Sequence, residues 1–186
     1  SAARQEAAWR LAEAVEGEMA ALSLTGGRFA VGFGRREDVA GVTLEAPGFD
    51  PAVRYACDES GADKVSFQVS LNPGEPLRPL AKVASGGEAA RLMLALKGIL
   101  SAADQVPTLI FDEIDAGIGG RVGAVVGVKL WRLTRGGAED EGSTKLPPAV
   151  GHQVICVTHL PQVAAYGDAH YRVAKSVDEG RTRTLI

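Results

Sequence analysis

Two short apolar runs, each ending abruptly on polar chemistry, restrict this chain more than any other feature. Thr108-Leu109-Ile110-Phe111 runs straight into Asp112-Glu113, and Val154-Ile155-Cys156-Val157 runs into Thr158-His159. A strand with one face in water alternates polar and apolar residues. A strand apolar at consecutive positions is expected to be covered on both faces, as in the middle of a parallel sheet. Helical patterns occupy residues 88–103, before the first run, and 120–134, between the two. That alternation predicts an α/β fold with a largely parallel sheet flanked by helices. Ligands of such sheets bind outside the carboxyl ends of the strands, where the two acids and the histidine lie.

Composition narrows the class. The 186 residues make one domain of ordinary size, and 46% hydrophobic with 23% charged residues is a globular balance rather than a disordered one. A formal charge of −3 argues against a nucleic-acid-binding surface over the whole molecule and leaves a local basic face open. Two cysteines imply no disulfide framework, and Cys156 reads as a buried strand thiol. No run approaches the roughly 20 apolar residues that span a bilayer, because Arg91, Lys97 and Asp104 interrupt the best candidate; no membrane partner is expected. The chain starts at Ser1 inside a helical pattern and stops on a strand-like Thr182-Arg183-Thr184-Leu185-Ile186. Both ends suggest a piece of a longer, cytoplasmic polypeptide.

Residues 1–24 place Leu11, Val15, Met19 and Leu22 on one narrow helical stripe. The stripe suits either a coiled-coil seam or a helix lying on the domain, and Gly26-Gly27 is expected to end it. Residues 29–33 and 65–71 alternate as half-buried strands, with a turn-rich stretch between them that contains Pro47 and Pro51. Residues 72–76 form a turn, and 135–151 read as a mobile surface loop. Residues 153–157 form the second buried strand, 160–166 a short helix, and 170–174 and 181–186 the final strands.

Three motifs carry chemistry. Ser85-Gly86-Gly87-Glu88 opens a helix. Its glycines let backbone amides approach a ligand, and the helix dipole presents its positive end there, which suits a phosphate. A plain capping box, Ser followed three residues later by Glu, explains the same letters. Asp112 at a strand end is suited to hold Mg²⁺, and Glu113 to orient or deprotonate a water; two solvent-facing acids are the alternative. His159 at the second strand's tip can sense a terminal phosphate or serve structure alone. His152 and His170 read as structural. Nothing fits G-x-x-x-x-G-K-[ST], and the glycines from Gly117 to Gly123 are out of register for a dinucleotide fingerprint.

Taken in order, these residues resemble the ABC/SMC class of ATPase heads. Ser85-Gly86-Gly87-Glu88 looks like its signature motif, Leu109 to Glu113 its Walker B strand, Asp115 its D-loop and His159 its switch histidine. With Asn72-Pro73-Gly74-Glu75-Pro76-Leu77-Arg78-Pro79-Leu80, Lys82-Val83-Ala84 and Thr158-His159-Leu160-Pro161-Gln162-Val163-Ala164-Ala165, the chain is similar to the RecN family of bacterial SMC-like double-strand-break repair proteins. Ala89-Ala90 departs from the usual Leu-Ser, and Gly120 from the usual D-loop Ser. Another ABC/SMC head, or a transporter's nucleotide-binding domain, is the alternative.

The resemblance implies the carboxy-terminal lobe of a head over residues 25–186, with residues 1–24 ending a coiled-coil arm. It implies ATP and Mg²⁺ as ligands and a P-loop supplied by the amino-terminal lobe of the same protein. Glu113 and His159 would be catalytic and Asp112 the metal ligand. Ser85, Gly86, Gly87, Glu88 and Asp115 would be nucleotide-binding, the signature acting on the ATP of a second head in a homodimer. DNA would be a partner and the bacterial nucleoid the location. Residues 116–137 carry Arg121, Lys129, Arg132 and Arg135 and no acid, a face for phosphate backbones or simply a solvated one.

Overall fold

The computed structural model describes residues 2–45, 48–82, 86–104, 106–136, 151–178 and 181–185. Helix α1 spans Ala2–Ala21 and buries Val15 and Met19, followed by Leu22 and Leu24. The apolar stripe is therefore a packing face over its last two turns, while Trp9 stays exposed. The helix stops before the two glycines. Ser23 takes a left-handed φ of 60°, and the Leu24 N–H reaches back 2.9 Å to the Met19 carbonyl. Leu24 and Met19 then share one apolar cluster, the contact that accompanies such a helix end.

Strand β1 (Arg28–Gly34) pairs antiparallel with β4 (Lys64–Ser70), placing Phe29 opposite Val69, Val31 opposite Phe67 and Phe33 opposite Val65. These six form the sheet's apolar face, and its Phe29–Val69 end meets α1 through Val15 and Met19. Between them, β2 (Glu37–Thr43) and β3 (Arg54–Tyr55) form a bulged antiparallel pair within the stretch expected to be turns. Their pattern is hard to recognise because β2 buries no residue and leaves Val39 93% exposed. Strand β5 (Arg78–Pro79) extends the first sheet beside β4.

Helix α2 (Gly86–Leu100) follows, continued by a 3-10 turn at Ser101–Ala103. Strand β6 (Thr108–Phe111), helix α3 (Gly120–Thr134) and strand β7 (Gln153–Cys156) make the βαβ unit expected from the apolar runs, with β6 and β7 parallel in register from Thr108–Gln153 to Phe111–Cys156. Helix α4 (Pro161–Ala164) and the antiparallel strands β8 (Ala174–Asp178) and β9 (Arg181–Leu185) complete the order, β8 lying later than residues 170–174. The α/β class holds. Its parallel part, among the described residues, is the β6–β7 pair, and the remaining pairs are antiparallel.

Among the described residues, only one face of the β6–β7 pair is covered. Leu109 and Phe111 enter a cluster with Leu94 and Ala95 of α2 and Val126, Leu130 and Leu133 of α3, with Val154 and Cys156 packed against it. On the other face Ile110 is 69% exposed, Ile155 46% and Val157 58%. The expectation of cover on both faces is corrected to this extent: both described helices that pack on the pair lie on the same side. The surface loop expected at residues 135–151 lies, from residue 137 to 150, outside the described residues.

Candidate functional site

Three chain segments meet at the carboxyl ends of β6 and β7: the first turn of α2, the turn after β6 and the turn after β7. Gly87 sits in the first turn of α2 where a side chain would not fit, and Gly86 before it abuts the exposed end of the Glu113 side chain. A Cβ on Gly86 would come within 2.5 Å of Glu113 Oε2. One on Gly87 would meet Ala116 Cβ at 2.9 Å and the carbonyl oxygens of Glu113 and Ala116 at 3.0 Å. The glycines thus seat the helix start against the turn that carries the acids. Ser85 lies outside the described residues. Glu88 is half-buried one turn before Arg91, whose charge it opposes.

The turn itself is tight. Glu113 has a φ of +54°, a left-handed conformation that a residue with a Cβ seldom adopts. The Ala116 N–H closes onto the Glu113 carbonyl at 2.9 Å, and the Glu113 N–H donates to Asp112 Oδ1 at 2.9 Å. Asp112 and Glu113 both remain exposed. Asp112 also edges a shallow cavity of about 290 Å³ between α2, at Met93 and Lys97, and β6, at Ile110.

Asp115 behaves differently. It is 3% exposed, and its Oδ2 accepts hydrogen bonds from the Thr158 hydroxyl, from the His159 N–H at 2.8 Å and from the Leu160 N–H at 3.3 Å. His159 Nδ1 lies 3.1 Å from the same oxygen, while the ring as a whole is 73% exposed. Burial alone would push the Asp115 carboxyl up. The hydrogen bonds from Thr158, His159 and Leu160, with the His159 charge, outweigh it and hold Asp115 below the usual carboxylate range. An Nδ1–H donated to Asp115 leaves Nε2 as the free ring nitrogen of an exposed imidazole. A carboxylate expected to contact nucleotide is thus turned inward, onto the strand tip that carries His159.

A neighbouring thiol is quiet. Burial, then the charges of Asp115 and Asp112, raise Cys156 to about 11. Among the described residues no group of three or more His, Cys, Asp or Glu is placed to hold a metal by itself. Asp112 offers one exposed hard-oxygen donor, which fits Mg²⁺ when phosphate oxygens and water complete the shell.

The basic helix is partly spoken for. Lys129 pairs with Glu18 of α1, and the Arg135 guanidinium sits 4.9 Å from the Trp131 ring centre; Arg121 and Arg132 stay exposed. Gly123 and Gly127 of α3 admit the residues around α4 at close range. A Cβ on Gly123 would meet Leu160 at 2.9 Å, and one on Gly127 would meet Tyr166 at 2.4 Å.

Comparison with known proteins decides the lineage. The DNA repair protein RecN of Streptomyces coelicolor is 41% identical over 184 residues, 99% of this chain. The chain belongs to the RecN family. RecN of Mycobacterium leprae is 39% identical over 174 residues, 90% of the chain, and RecN of Bacillus subtilis 44% over 128 residues, 69% of it. The chain spans 28%, 26% and 20% of the lengths of these three relatives. No protein-family model matches it. Among solved structures, the Smc head domain of Pyrococcus furiosus with an extended coiled coil, bound to the C-terminal domain of ScpA, aligns over 98% of the chain and 35% of its own at 19% identity and a TM-score of 0.45.

In this RecN-family chain the sequence motifs name Gly86, Gly87, Asp112, Glu113, Asp115 and His159, and the fold gathers them at one end of the β6–β7 pair. Two residues escape that reading. Thr158 sits inside a recognised motif but shows its role only through its bond to Asp115. Arg91 is the one charge between Ala89 and Leu96, an otherwise apolar stretch of helix, and that isolation is its only signal in the sequence.

Proposed function

We propose that this chain is the carboxy-terminal lobe of a RecN-type ATPase head, which hydrolyses ATP once a P-loop lobe and a second head complete its sites. The observation that carries the reading is the knot at Asp115. It holds the switch histidine beside an exposed Asp112-Glu113 pair, with the signature glycines docked on the same turn.

In this reading Asp112 takes the Mg²⁺, which supplies charge neutralisation on the phosphates. Glu113, exposed and held by its strained turn, accepts the proton of the attacking water. His159 steadies the terminal phosphate through Nε2, and Asp115 acts as a positioning residue behind it rather than as a nucleotide contact. Ser85, Gly86 and Gly87 face the ATP of the second head. Catalysis by such an arrangement is mostly alignment and charge compensation.

The bare face at Ile110, Ile155 and Val157 supports a place for the P-loop lobe, since apolar side chains in one contiguous patch call for a cover. The exposed amino-terminal half of α1 supports an arm that continues away from the head. ATP bound between two heads stabilises their dimer by mass action, and hydrolysis releases it. Kinship with proteins named for DNA repair supports a role in that process; in this reading DNA is the tethered partner, at the nucleoid in the bacterial cytoplasm. No helix among the described residues is long and apolar enough to cross a membrane.

The direct test is Glu113→Gln in the full-length protein. Loss of the base lowers ATP turnover by about a hundredfold or more, while the ATP-bound head dimer accumulates in size-exclusion chromatography. Turnover close to wild type would remove Glu113 from the mechanism.

A further inference from the structure

Arg91 is buried to 4% exposure on the inner face of α2; among the described residues no carboxylate forms an ion pair with its guanidinium, and Glu88 opposes its charge from one turn away. Its Nη1 donates to the Ala116 carbonyl at 2.9 Å and to the Ile114 carbonyl at 3.3 Å. Its Nε is buried with no hydrogen-bond partner among the described residues. A charge withdrawn from water and bound only by backbone oxygens costs stability unless something else requires it. What it grips is specific. Ile114 and Ala116 flank Asp115, the residue whose carboxylate holds Thr158 and His159.

We propose that Arg91 is a positioning residue that fixes the 114–116 turn so that Asp115 aims His159, joining the signature helix to the switch histidine within one chain. The inference rests on the ATPase reading given above and adds to it the means by which the two half-sites of a head are aligned. Gly86 and Gly87 lie five and four residues before Arg91 on the same helix. A displacement of that helix start, where the opposite head's nucleotide would bind, therefore moves the guanidinium, both carbonyls and the Asp115 carboxylate as one body. Both bonds come from the one Nη1, and a lysine, whose ammonium sits on a shorter stem, does not bring its nitrogen to that point without moving the helix or the turn.

The experiment uses full-length protein carrying Arg91→Lys, Arg91→Met, Thr158→Val and the Arg91–Thr158 double changes. The readouts are kcat and KM for ATP, the pH profile of kcat, and the thermal midpoint. R91K and R91M are expected to lower kcat by about ten- to a hundredfold, with KM within about twofold, and to displace the pH profile of kcat. Because both routes end on Asp115, each double variant should be no slower than the slower single, a non-additivity expected of residues in one network.

Unchanged kcat in R91K and R91M overturns the proposal, as do losses that multiply with T158V. An unaltered pH profile beside a lowered kcat also overturns it. If R91M fails to fold, R91K decides alone, and an unfolded R91K assigns Arg91 to structure only. Glu113→Gln run in parallel separates the two readings. If E113Q turns over normally, the ATPase reading fails. If E113Q is inactive while R91K matches wild type, only the role of Arg91 fails.

Discussion

The two faces of the β6–β7 pair come from interleaved residues of the same two strands and have opposite fates. Leu109, Phe111, Val154 and Cys156 pack beneath α2 and α3, while Ile110, Ile155 and Val157 lie bare. Composition does not separate them, since both sets are apolar. What separates them is whether the described residues supply a cover. A consecutive apolar run therefore reports that a strand is apolar on both faces, not which face the described residues cover.

Substitution on the two faces breaks the comparison most sharply. Phe111→Ala opens a cavity in the covered core and should cost about 3–5 kcal/mol in denaturant unfolding. Ile110→Ala in this chain should stay within about 0.5 kcal/mol. Equal losses would mean that the bare face is already covered here. A smaller effect is expected at the strand tips, where Asp115→Asn leaves its donors imperfectly met and should cost about 1–3 kcal/mol at neutral pH.

The sign of its pH dependence follows from the lowered carboxyl. The stabilisation is present above the unfolded value near about 3.9 and is lost as pH falls through the lower folded value. The gap between wild type and D115N should therefore narrow on acidification below that value in unfolding measured across pH. The smallest effect belongs to the Lys129–Glu18 pair between α3 and α1, partly exposed on both sides. Lys129→Ala should shift stability by no more than about 1 kcal/mol, and salt should erase the difference.

Much of the architecture was legible from residue order. Alternation at 29–33 and 65–71, the apolar runs and the α1 stripe all recur as β1, β4, β6, β7 and the packed turns of α1. Each is a pattern in which burial repeats with the period of its element. The β2–β3 pair was not legible because its strands lie almost wholly in water and a bulge interrupts their register. The end of α1 was read two residues or more too late because Ser23, rather than a glycine, takes the left-handed position.

At the site, the motifs named residues that the fold brings together but not the direction in which each side chain faces. Letters alone cannot tell a carboxylate aimed at a ligand from one turned inward, as at Asp115. That distinction needs the parallel register that lays Thr158 and His159 beside it. Arg91 was missed for a related reason: its partners are carbonyls, which leave no mark in a sequence.

The raised thiol of Cys156 has a practical side. With a value near about 11, only about one molecule in ten thousand carries a thiolate there at pH 7. Cys57, the other cysteine, is exposed in the segment after β3, well away in sequence from the acids and the histidine. A maleimide dye at neutral pH will therefore seek Cys57 and pass over the strand beside the acids. Within this chain Cys57 is thus the cysteine that takes a label, and the strand beside the acids stays unmodified.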